Sequence, residues 1–524
     1  MVVCIFASLL KLITMSYIIE QKIKGKIYLY KVDSYWDKDK KQARQKRVYL
    51  GPKDKKQKSP LKQVISKLTT HNFGNVYFFM EQIKALGLSD LLQSIYPDNY
   101  NAILALAMYE ISEGAPSYLF PYWLEEQNLP EVRRIDSSGI SALYETLGRD
   151  QKGRDKFMRE WIERQKPVEG VYYDITSISS YSTKIDFVEW GYNRDGERLP
   201  QINMGVVCDI KSGLPIYYRT HPGSIVDVTT LKNCLKYLRA YSLKDITMIL
   251  DRGFFSTANV ISMSAKENQM QFIQPLSFSL KKVKELIAKH KKKLSDTSTA
   301  FIFNQEILHH MPDTITFGDA TCNAHIYYNE KAELEQRHKF LAELLEIEKI
   351  IVKCKSKKEF DAFIQNHFSE KYREYFQWIP GIKSIEKDIP KIDNHLANLG
   401  YFVIATNQKT DKITILEYYR NRDKVEKIFD VMKNEMDGSR LRVHSGYNAD
   451  GKLFVKFISL IIYMNITNQM KNTKLFDNFS LKEMLNELKK IKITHIENFD
   501  PIISELTKKS KKILTELKMD IPIT

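Results

Sequence analysis

The stretch that follows Ile415 carries four polar side chains whose types and spacing suit contact with a phosphate backbone. They are Tyr419, Arg422, Glu426 and Lys433. On one continuous helix, at about 100° per residue, the four side chains share one narrow stripe. At about 1.5 Å per residue this stripe is about 21 Å long, which exceeds a small-molecule pocket and matches several nucleotides. The adjoining flank is apolar and is expected to face a core; it holds Val425, Ile428, Phe429, Met432 and Met436.

A ladder of surface ion pairs, worth under ~1 kcal/mol per pair, is the alternative interpretation of this stripe. Two aspartates elsewhere favour chemistry instead. Asp174 lies inside the apolar run VYYDITSIS, where burial of a carboxylate requires a partner or a metal ion. Asp251 follows the apolar run ITMIL, and Gly253 then allows a tight turn. Both aspartates are expected at strand ends, where α/β sheets commonly bind ligands. Taken singly, each aspartate is explained equally well by a structural role.

Three carboxylates that converge within about 5 Å would repel one another by roughly 3 kcal/mol per pair at an effective dielectric near 20. Such a group needs protons or divalent cations, and hard oxygen ligands favour Mg²⁺, with Mn²⁺ as a substitute. Two such ions are suited to phosphoryl displacement, because they activate the attacking oxygen and stabilise the leaving one. We therefore expect Asp174, Asp251 and Glu426 to meet around magnesium.

These residues resemble the signature of insertion-sequence transposases of the DDE type. Residues 419–433 match the family's YREK motif, Y-x-x-R-x-x-x-E-x-x-x-x-x-x-K, at every spaced position. Residues 174–176 resemble its first-aspartate strand, and residues 251–254 resemble its second-aspartate turn. The intervening segments 191–195, 199–201 and 223–231 also resemble family segments. The resemblance covers roughly residues 24 to 470.

The resemblance implies a transposase that cleaves the ends of an insertion sequence and joins the 3′-OH to target DNA by two-metal phosphoryl transfer. Asp174, Asp251 and Glu426 would then be the catalytic residues and the ligands of two Mg²⁺ ions. Tyr419, Arg422 and Lys433 would hold phosphates or a displaced base, and the arginine would do so through its bidentate fork. The implied partners are terminal inverted repeats, target DNA and a second copy of the chain in a homodimer.

The positive charge of the chain is concentrated near its N-terminus. The 80 Lys and Arg residues exceed the 64 Asp and Glu residues, for a net charge of +16, which favours a polyanionic partner. Between residues 22 and 62 there are fifteen Lys or Arg residues against four Asp residues. We expect a hairpin there, with strands KIYLYKV and RVYLG around a long basic turn, to bind DNA; the candidates are Lys40, Lys41, Arg44 and Lys46. A basic hairpin that only aids solubility is the alternative.

The 524 residues predict an α/β fold, with an RNase H-like mixed sheet flanked by helices and interrupted by an insertion, beside an N-terminal β-hairpin and helical DNA-binding units. The sheet is expected to pause at Pro275. The predicted division is 1–58, the basic hairpin region; 59–166, helices for DNA binding or dimerisation; 167–276, the first part of the catalytic core; 277–396, the insertion; 397–470, the second part of the core; and 471–524, a basic helical tail.

Other features of the sequence limit the alternatives. Five scattered cysteines without a C-x-x-C pair argue against a disulfide framework and predict a cytoplasmic protein. Residues 2–15 are apolar but too short to span a bilayer, and Met15 is a second possible start. Cys322 and His325, near His309 and His310, are a weak zinc pattern and are expected to be packing residues. A stand-alone RNase H-like nuclease and a non-catalytic DNA-binding repressor remain as competing hypotheses.

Overall fold

The computed structural model describes residues 16–37, 40, 42–53, 68–265, 270–354, 356–367, 370–379, 384–497 and 499–522. Three predictions fall outside these residues: the packed or frayed terminus at 1–15, the DNA-binding role of Lys41, and the domain boundary at residue 58. The chain forms two compact units. The first holds the described residues up to His71 together with 492–505 and residue 522, and the second holds 72–491 and 506–521.

The first unit contains a three-stranded antiparallel sheet in the order β1-β2-β3. Its strands are β1 (Ser16–Ile23), β2 (Lys26–Asp37) and β3 (Gln42–Pro52). The predicted hairpin is present, but the prediction of a long basic turn was wrong, because β2 and β3 pair as far as Asp37 and Gln42. This ladder gives the backbone of the basic segment hydrogen-bond partners that a turn would have left to water. A second sheet, in the order β17-β16-β4, consists of β4 (Leu68–Asn72), β16 (Lys492–Ile496) and β17 (Ile502–Ile503).

The second unit begins and ends with helices. The helical spacing of residues 59–166 predicts helices there, but the described part of that range begins with β4 and is helical only from Gly74 onward. The helices before the main sheet are α1 (Gly74–Ala85), α2 (Leu88–Ile95), α3 (Tyr100–Glu113), α4 (Phe120–Glu125), α5 (Ser137–Arg149) and α6 (Gln151–Gln165). The helices after it are α15 (Gly446–Asn472), α16 (Leu481–Leu488) and α17 (Lys508–Glu516). By length and composition α15 is apolar enough to cross a membrane, but 78% of its most apolar window is buried inside the fold. α15 is therefore a buried helix of the second unit.

A nine-stranded mixed sheet forms the centre of the second unit, in the order β10-β11-β12-β15-β9-β8-β5-β6-β7. Its first five strands along the chain are β5 (Gly170–Ser179), β6 (Gln201–Asp209), β7 (Pro215–Pro222), β8 (Thr247–Ile249) and β9 (Gln271–Pro275). β5, β6 and β7 are antiparallel, whereas β5, β8 and β9 run parallel. Helix α7 (Asp227–Ala240) connects β7 to β8, and helix α8 (Thr257–Ser264) connects β8 to β9.

The sheet continues beyond Pro275, so the prediction that it pauses there was wrong. The added strands are β10 (Ala300–Phe303), β11 (Glu306–Phe317), β12 (Ala320–Asn329) and β15 (Tyr401–Thr406). Pro275 itself pairs with Ile404 of β15, because the open edge of β9 offers backbone groups that an antiparallel strand can satisfy.

The remainder of the insertion has a small core of its own. Its elements are α9 (Lys281–Leu294), α10 (Glu330–Ile351), α11 (Lys357–His367), β13 (Phe376–Ile379), β14 (Ser384–Lys387) and α12 (Ile389–Leu396). Phe340, Leu344 and Ile347 of α10 are buried in this core with Tyr375 and Ile392.

Candidate active site

Asp174 lies on β5, an interior strand of the sheet, between β6 and β8. Its neighbours Tyr173 and Ile175 are buried, and its carboxylate accepts a hydrogen bond from the Ile175 amide at 2.8 Å. Burial is the main cause that raises the pKa of Asp174 to about 7; the negative charge of Asp251 adds to the rise, while the Ile175 amide and the charges of Arg422 and Arg194 oppose it. The carboxyl group is therefore poised between its neutral and charged forms near neutral pH.

Asp251 follows β8 at the point that matches Asp174 on β5. The last paired residues of these two parallel strands are Tyr172 and Ile249, and each aspartate lies two residues further along its own strand. The Asp251 carbonyl accepts from the Gln274 side chain at 2.6 Å and from the Phe254 amide at 3.1 Å. These bonds fix the turn after β8, so Asp174 and Asp251 lie at one end of two adjacent strands.

Arg422 joins the second predicted acid to the third. Its guanidinium pairs with the Asp251 carboxylate through Nη1 and with Glu426 Oε1 through Nη2, the latter at 2.6 Å. The Arg422 side chain is only 15% exposed, and its buried Nε has no hydrogen-bond partner within the described protein. Asp251 and Glu426 are thus brought together around one shared cation.

The helix that carries these residues is not continuous, which corrects the single-helix arithmetic of the sequence. α13 (Lys412–Arg420) ends before Arg422, α14 (Asp423–Asp430) follows, and residues 431–435 form a π-helical turn. The Arg422 and Lys424 amides each donate a hydrogen bond to the carbonyl three residues earlier, at 3.3 and 3.1 Å. The backbone is therefore wound more tightly at the point where the Arg422 guanidinium turns toward Asp251. The apolar flank is confirmed: Val425, Ile428, Phe429, Met432 and Met436 are all buried.

Tyr419 and Lys433 are engaged with other protein groups. The Tyr419 ring stacks on Phe402 of β15 with 6.4 Å between centroids, and the Arg422 guanidinium lies 5.6 Å from the same ring centroid. Lys433 Nζ lies 2.5 and 2.6 Å from the two carboxylate oxygens of Asp195. Tyr419, Arg422 and Glu426 therefore contact one another in series, whereas Lys433 is held separately by Asp195.

The three carboxylates provide the donors that a hard divalent cation prefers. Among the described residues, however, no three His, Cys, Asp or Glu side chains lie close enough together to hold a metal ion as they stand. The guanidinium of Arg422 occupies the space between Asp251 and Glu426. The carboxylate oxygens are the donors that a hard divalent cation would need, and Arg422 is the group that would have to give way.

Sequence reasoning marked the segments around 191–201 and 223–231 but assigned no role to their side chains. Arg194 bonds Ser177 Oγ at 3.2 Å and Asn203 Oδ1 at 3.3 Å, and it pairs with Asp227 at the start of α7. Arg440 forms two bonds with Glu197, at 2.6 and 2.7 Å. These pairs join residues far apart in sequence, so no local pattern signals them.

The remaining predicted sites lie elsewhere. Arg44 and Lys46 are exposed on β3 in the first unit and Lys40 is exposed between β2 and β3; Arg44 lies 3.4 Å from Asp37. His310 Nε2 and His325 Nδ1 are 3.0 Å apart on β11 and β12, and burial lowers the pKa of His310 to about 3. Cys322 is buried as well. The histidines and the cysteine are packing residues of the sheet, as the sequence analysis expected.

Comparison with known proteins gives a family and a structural likeness. Residues 166–462, more than half of the chain, match the family model described as the transposase DDE domain. A cryo-EM structure of the piggyBac transposase synaptic complex with hairpin DNA is similar over 79% of this chain and 70% of that chain, at 10% identity and a TM-score of 0.34. No curated protein matches.

Proposed function

The chain belongs to the family of transposases that share the DDE domain, and from this premise we propose that it cleaves the ends of an insertion sequence and joins their 3′-OH to target DNA. The main support for the proposal is that Asp251 and Glu426 both pair with Arg422. Asp174 lies on β5, the strand adjacent to the β8 strand that Asp251 follows. The match of residues 419–433 to the YREK motif supports the insertion-sequence type.

The topology of the sheet supports an RNase H-like catalytic core. Strands β7, β6 and β5 are antiparallel neighbours, and β8 and β9 follow on the other side of β5 and parallel to it. In this proposal residues 167–276 and 397–470 form the two parts of the core, and residues 277–396 are the insertion. The insertion adds strands to the sheet of the core as well as its own helical part.

Asp174, Asp251 and Glu426 are the residues that would hold two divalent ions, Mg²⁺ or Mn²⁺. Bound there, the ions would supply charge stabilisation for the attacking and leaving oxygens of a phosphoryl transfer. Arg422 neutralises two of the same carboxylates, so it competes with cations for their oxygens. Once displaced from them, its planar guanidinium is suited to donate two hydrogen bonds to a DNA phosphate.

DNA binding is proposed for both units. In the first unit, Lys40, Arg44 and Lys46 are exposed on the β2–β3 hairpin and would contact phosphates of the inverted repeats. In the second unit, Tyr419 and Lys433 would contact the strand near the cut, and the helices from Gly74 to Gln165 would serve DNA binding or dimerisation. A homodimer would hold two element ends together.

A strand-transfer assay tests the proposal. Labelled ends, taken from short inverted repeats in the DNA that flanks the coding sequence, are mixed with the protein, Mg²⁺ and a plasmid target. Joining of the label to the plasmid is the expected result. Cleavage without joining would favour the stand-alone nuclease, and binding without cleavage would favour the repressor.

Glu426→Gln is the matching variant. It keeps the size of the side chain and removes its charge, so cleavage and joining should be abolished while DNA binding is retained. Glu417→Gln, on the exposed side of α13, is the control and should join ends at the normal rate. Normal joining by Glu426→Gln would remove Glu426 from the proposed ligand set.

A further inference from the structure

The loop between β5 and β6 exposes an unusual amount of aromatic surface. In this aromatic loop, residues 180–200, Tyr181 is 74% exposed, Trp190 is 67% exposed and Tyr192 is 80% exposed. Large aromatic side chains are normally buried, and a group of them left open to solvent marks a binding surface.

The backbone that presents Trp190 and Tyr192 is held firmly. Glu189 and Gln201 exchange two backbone hydrogen bonds, at 3.0 and 2.9 Å, and the Gln201 side chain donates to the Tyr192 carbonyl at 2.7 Å. Gly191, between the two aromatics, packs so closely on Gly223 that an added Cβ would lie 1.9 Å from the Gly223 carbonyl oxygen. The two rings therefore project from a preorganised backbone, which lowers the entropic cost of binding.

The aromatic loop is bonded to β5, which carries the first acid, and to the π-helical turn that directly follows the helix of the third acid. Arg194 donates to Ser177, which lies three residues after Asp174 on β5. Asp195 binds Lys433, which lies seven residues after Glu426. The exposed rings thus belong to the same bonded framework as the proposed catalytic carboxylates.

The charges of the aromatic loop suit bases more than they suit phosphates. Three of its four acidic residues are engaged: Asp195 with Lys433, Glu197 with Arg440, and Glu189 with Ser224. Lys184 and Arg198 are exposed in the same loop. Neutral, flat nucleobases can stack on the rings while these two cations reach the adjoining backbone.

We propose that Trp190 and Tyr192 form a stacking surface for unpaired nucleobases of the DNA strand that enters the candidate active site. In an intact duplex the base faces are covered by their neighbours, so the surface selects DNA whose bases have separated near the cut. This inference rests on the proposed transposase function and adds the kind of DNA structure that the site prefers.

Binding of two DNA probes to the full-length protein tests the inference. One probe is a duplex with a short unpaired tail that contains the fluorescent base 2-aminopurine, and the other is the fully paired duplex of the same sequence. Wild-type protein should bind the tailed probe more tightly and quench its fluorescence, because stacking on an aromatic ring quenches 2-aminopurine.

The variants separate stacking from folding. Trp190→Leu with Tyr192→Leu keeps apolar bulk but removes the planar rings, and it should weaken binding of the tailed probe about tenfold or more, with the quenching lost and the paired probe unaffected. Trp190→Phe with Tyr192→Phe should retain both signals. Phe499→Leu, which alters a phenylalanine that is 72% exposed between β16 and β17, is the control and should change neither.

Two results would overturn the inference: undiminished quenching with the leucine double variant, or equal affinity of the wild type for both probes. The strand-transfer assay on the wild type reports separately on the proposed function. Joining by wild-type protein together with ring-independent tail binding would remove the stacking surface alone, whereas the absence of cleavage and joining would remove the proposed function.

Discussion

Arg422 sets the charge balance of the candidate site. Its guanidinium pairs with Asp251 and with Glu426, and its positive charge also lowers the pKa of Asp174. A guanidinium can bridge two carboxylates at once because its donors form a planar fork, whereas a lysine ammonium is a single point of charge. The geometry of this one side chain therefore decides whether the acids can lie together before metal ions bind.

Arg422→Lys tests the importance of that geometry. The variant keeps the charge but loses the planar fork that would donate two hydrogen bonds to a DNA phosphate once Arg422 has left the carboxylates. Loss of one such charge-assisted bond, worth ~1.5 kcal/mol or more, should lower the rate of strand transfer about tenfold or more. Arg420→Lys, an exposed arginine at the end of α13, is the matched control and should have the normal rate. Equal rates for the two variants would show that charge alone suffices at position 422.

Asp174 makes the stability of the metal-free protein depend on pH. Its folded-state pKa of about 7 exceeds the ordinary value of 3.8, so between these values the folded state holds a proton that the unfolded state has released. The contribution of this group to stability is therefore greatest at low pH and is lost as the pH rises toward 7, by on the order of 1 kcal/mol per pKa unit.

Asp174→Asn removes this dependence. With a chelator present, the variant should match the wild type near pH 4, within the range where both fold, and should unfold at a higher temperature than the wild type at pH 8. Thermal unfolding followed by circular dichroism at several pH values measures the difference. A wild type that gains stability over the variant as the pH rises would contradict the assigned direction of the shift.

Among the secondary-structure elements, the local hydrophobic pattern of the sequence predicts those strands and helices whose residues are all buried or strictly periodic. The strands that position Asp174 and Asp251 are continuous apolar runs, so their existence and the placement of both acids follow from the sequence. The break at Arg422 and the π-helical turn at 431–435 do not, because an average of 100° per residue cannot detect a change of helical pitch. The pairing of Pro275 with Ile404 depends on residues more than a hundred positions apart, which local pattern does not reach.

The end of the π-helical turn is held by a buried ion pair between α3 and α15. Lys456 Nζ lies 3.1 Å from Glu110 Oε1 and also donates to the Met436 carbonyl, and Ser459 donates to Glu110 at 2.7 Å. Both charged side chains are almost completely buried. Removing one partner of a buried ion pair leaves an uncompensated charge in the core, which lowers the free energy of unfolding far more than replacing both partners by apolar side chains does.

Lys456→Met is therefore expected to reduce the free energy of unfolding by about 3–5 kcal/mol, because Glu110 is left charged and buried. Lys456→Met combined with Glu110→Leu should recover a large part of this loss, since no uncompensated charge remains. Urea unfolding of the single and double variants measures both effects, with the exposed Lys474→Met as the control. A double variant less stable than Lys456→Met alone would mean that the pair itself, and not the stranded charge, carries the effect.

At the scale of the whole molecule, the excess of positive charge is unevenly distributed over the two units. The first unit carries much of it on one antiparallel sheet, where Lys40, Arg44 and Lys46 are exposed. Contacts between such side chains and phosphates release condensed counterions, so the affinity for DNA depends steeply on salt. A uniform excess of charge would instead act through the overall field, with little dependence on which lysines supply it.

Charge reversal distinguishes these two possibilities. Replacing Lys40, Arg44 and Lys46 by Glu should weaken DNA binding, and it should flatten the plot of log K against log salt by about 0.9 for each phosphate that the protein no longer neutralises. The control replaces three exposed lysines of the second unit, Lys232, Lys236 and Lys244, by Glu, which changes the net charge by the same amount. Fluorescence anisotropy of a labelled duplex over a series of salt concentrations measures both slopes. Equal slopes for the two variants would mean that net charge governs binding and that the β2–β3 hairpin does not bind phosphates specifically; a flatter slope for the hairpin variant alone would locate the phosphate-binding side chains on it.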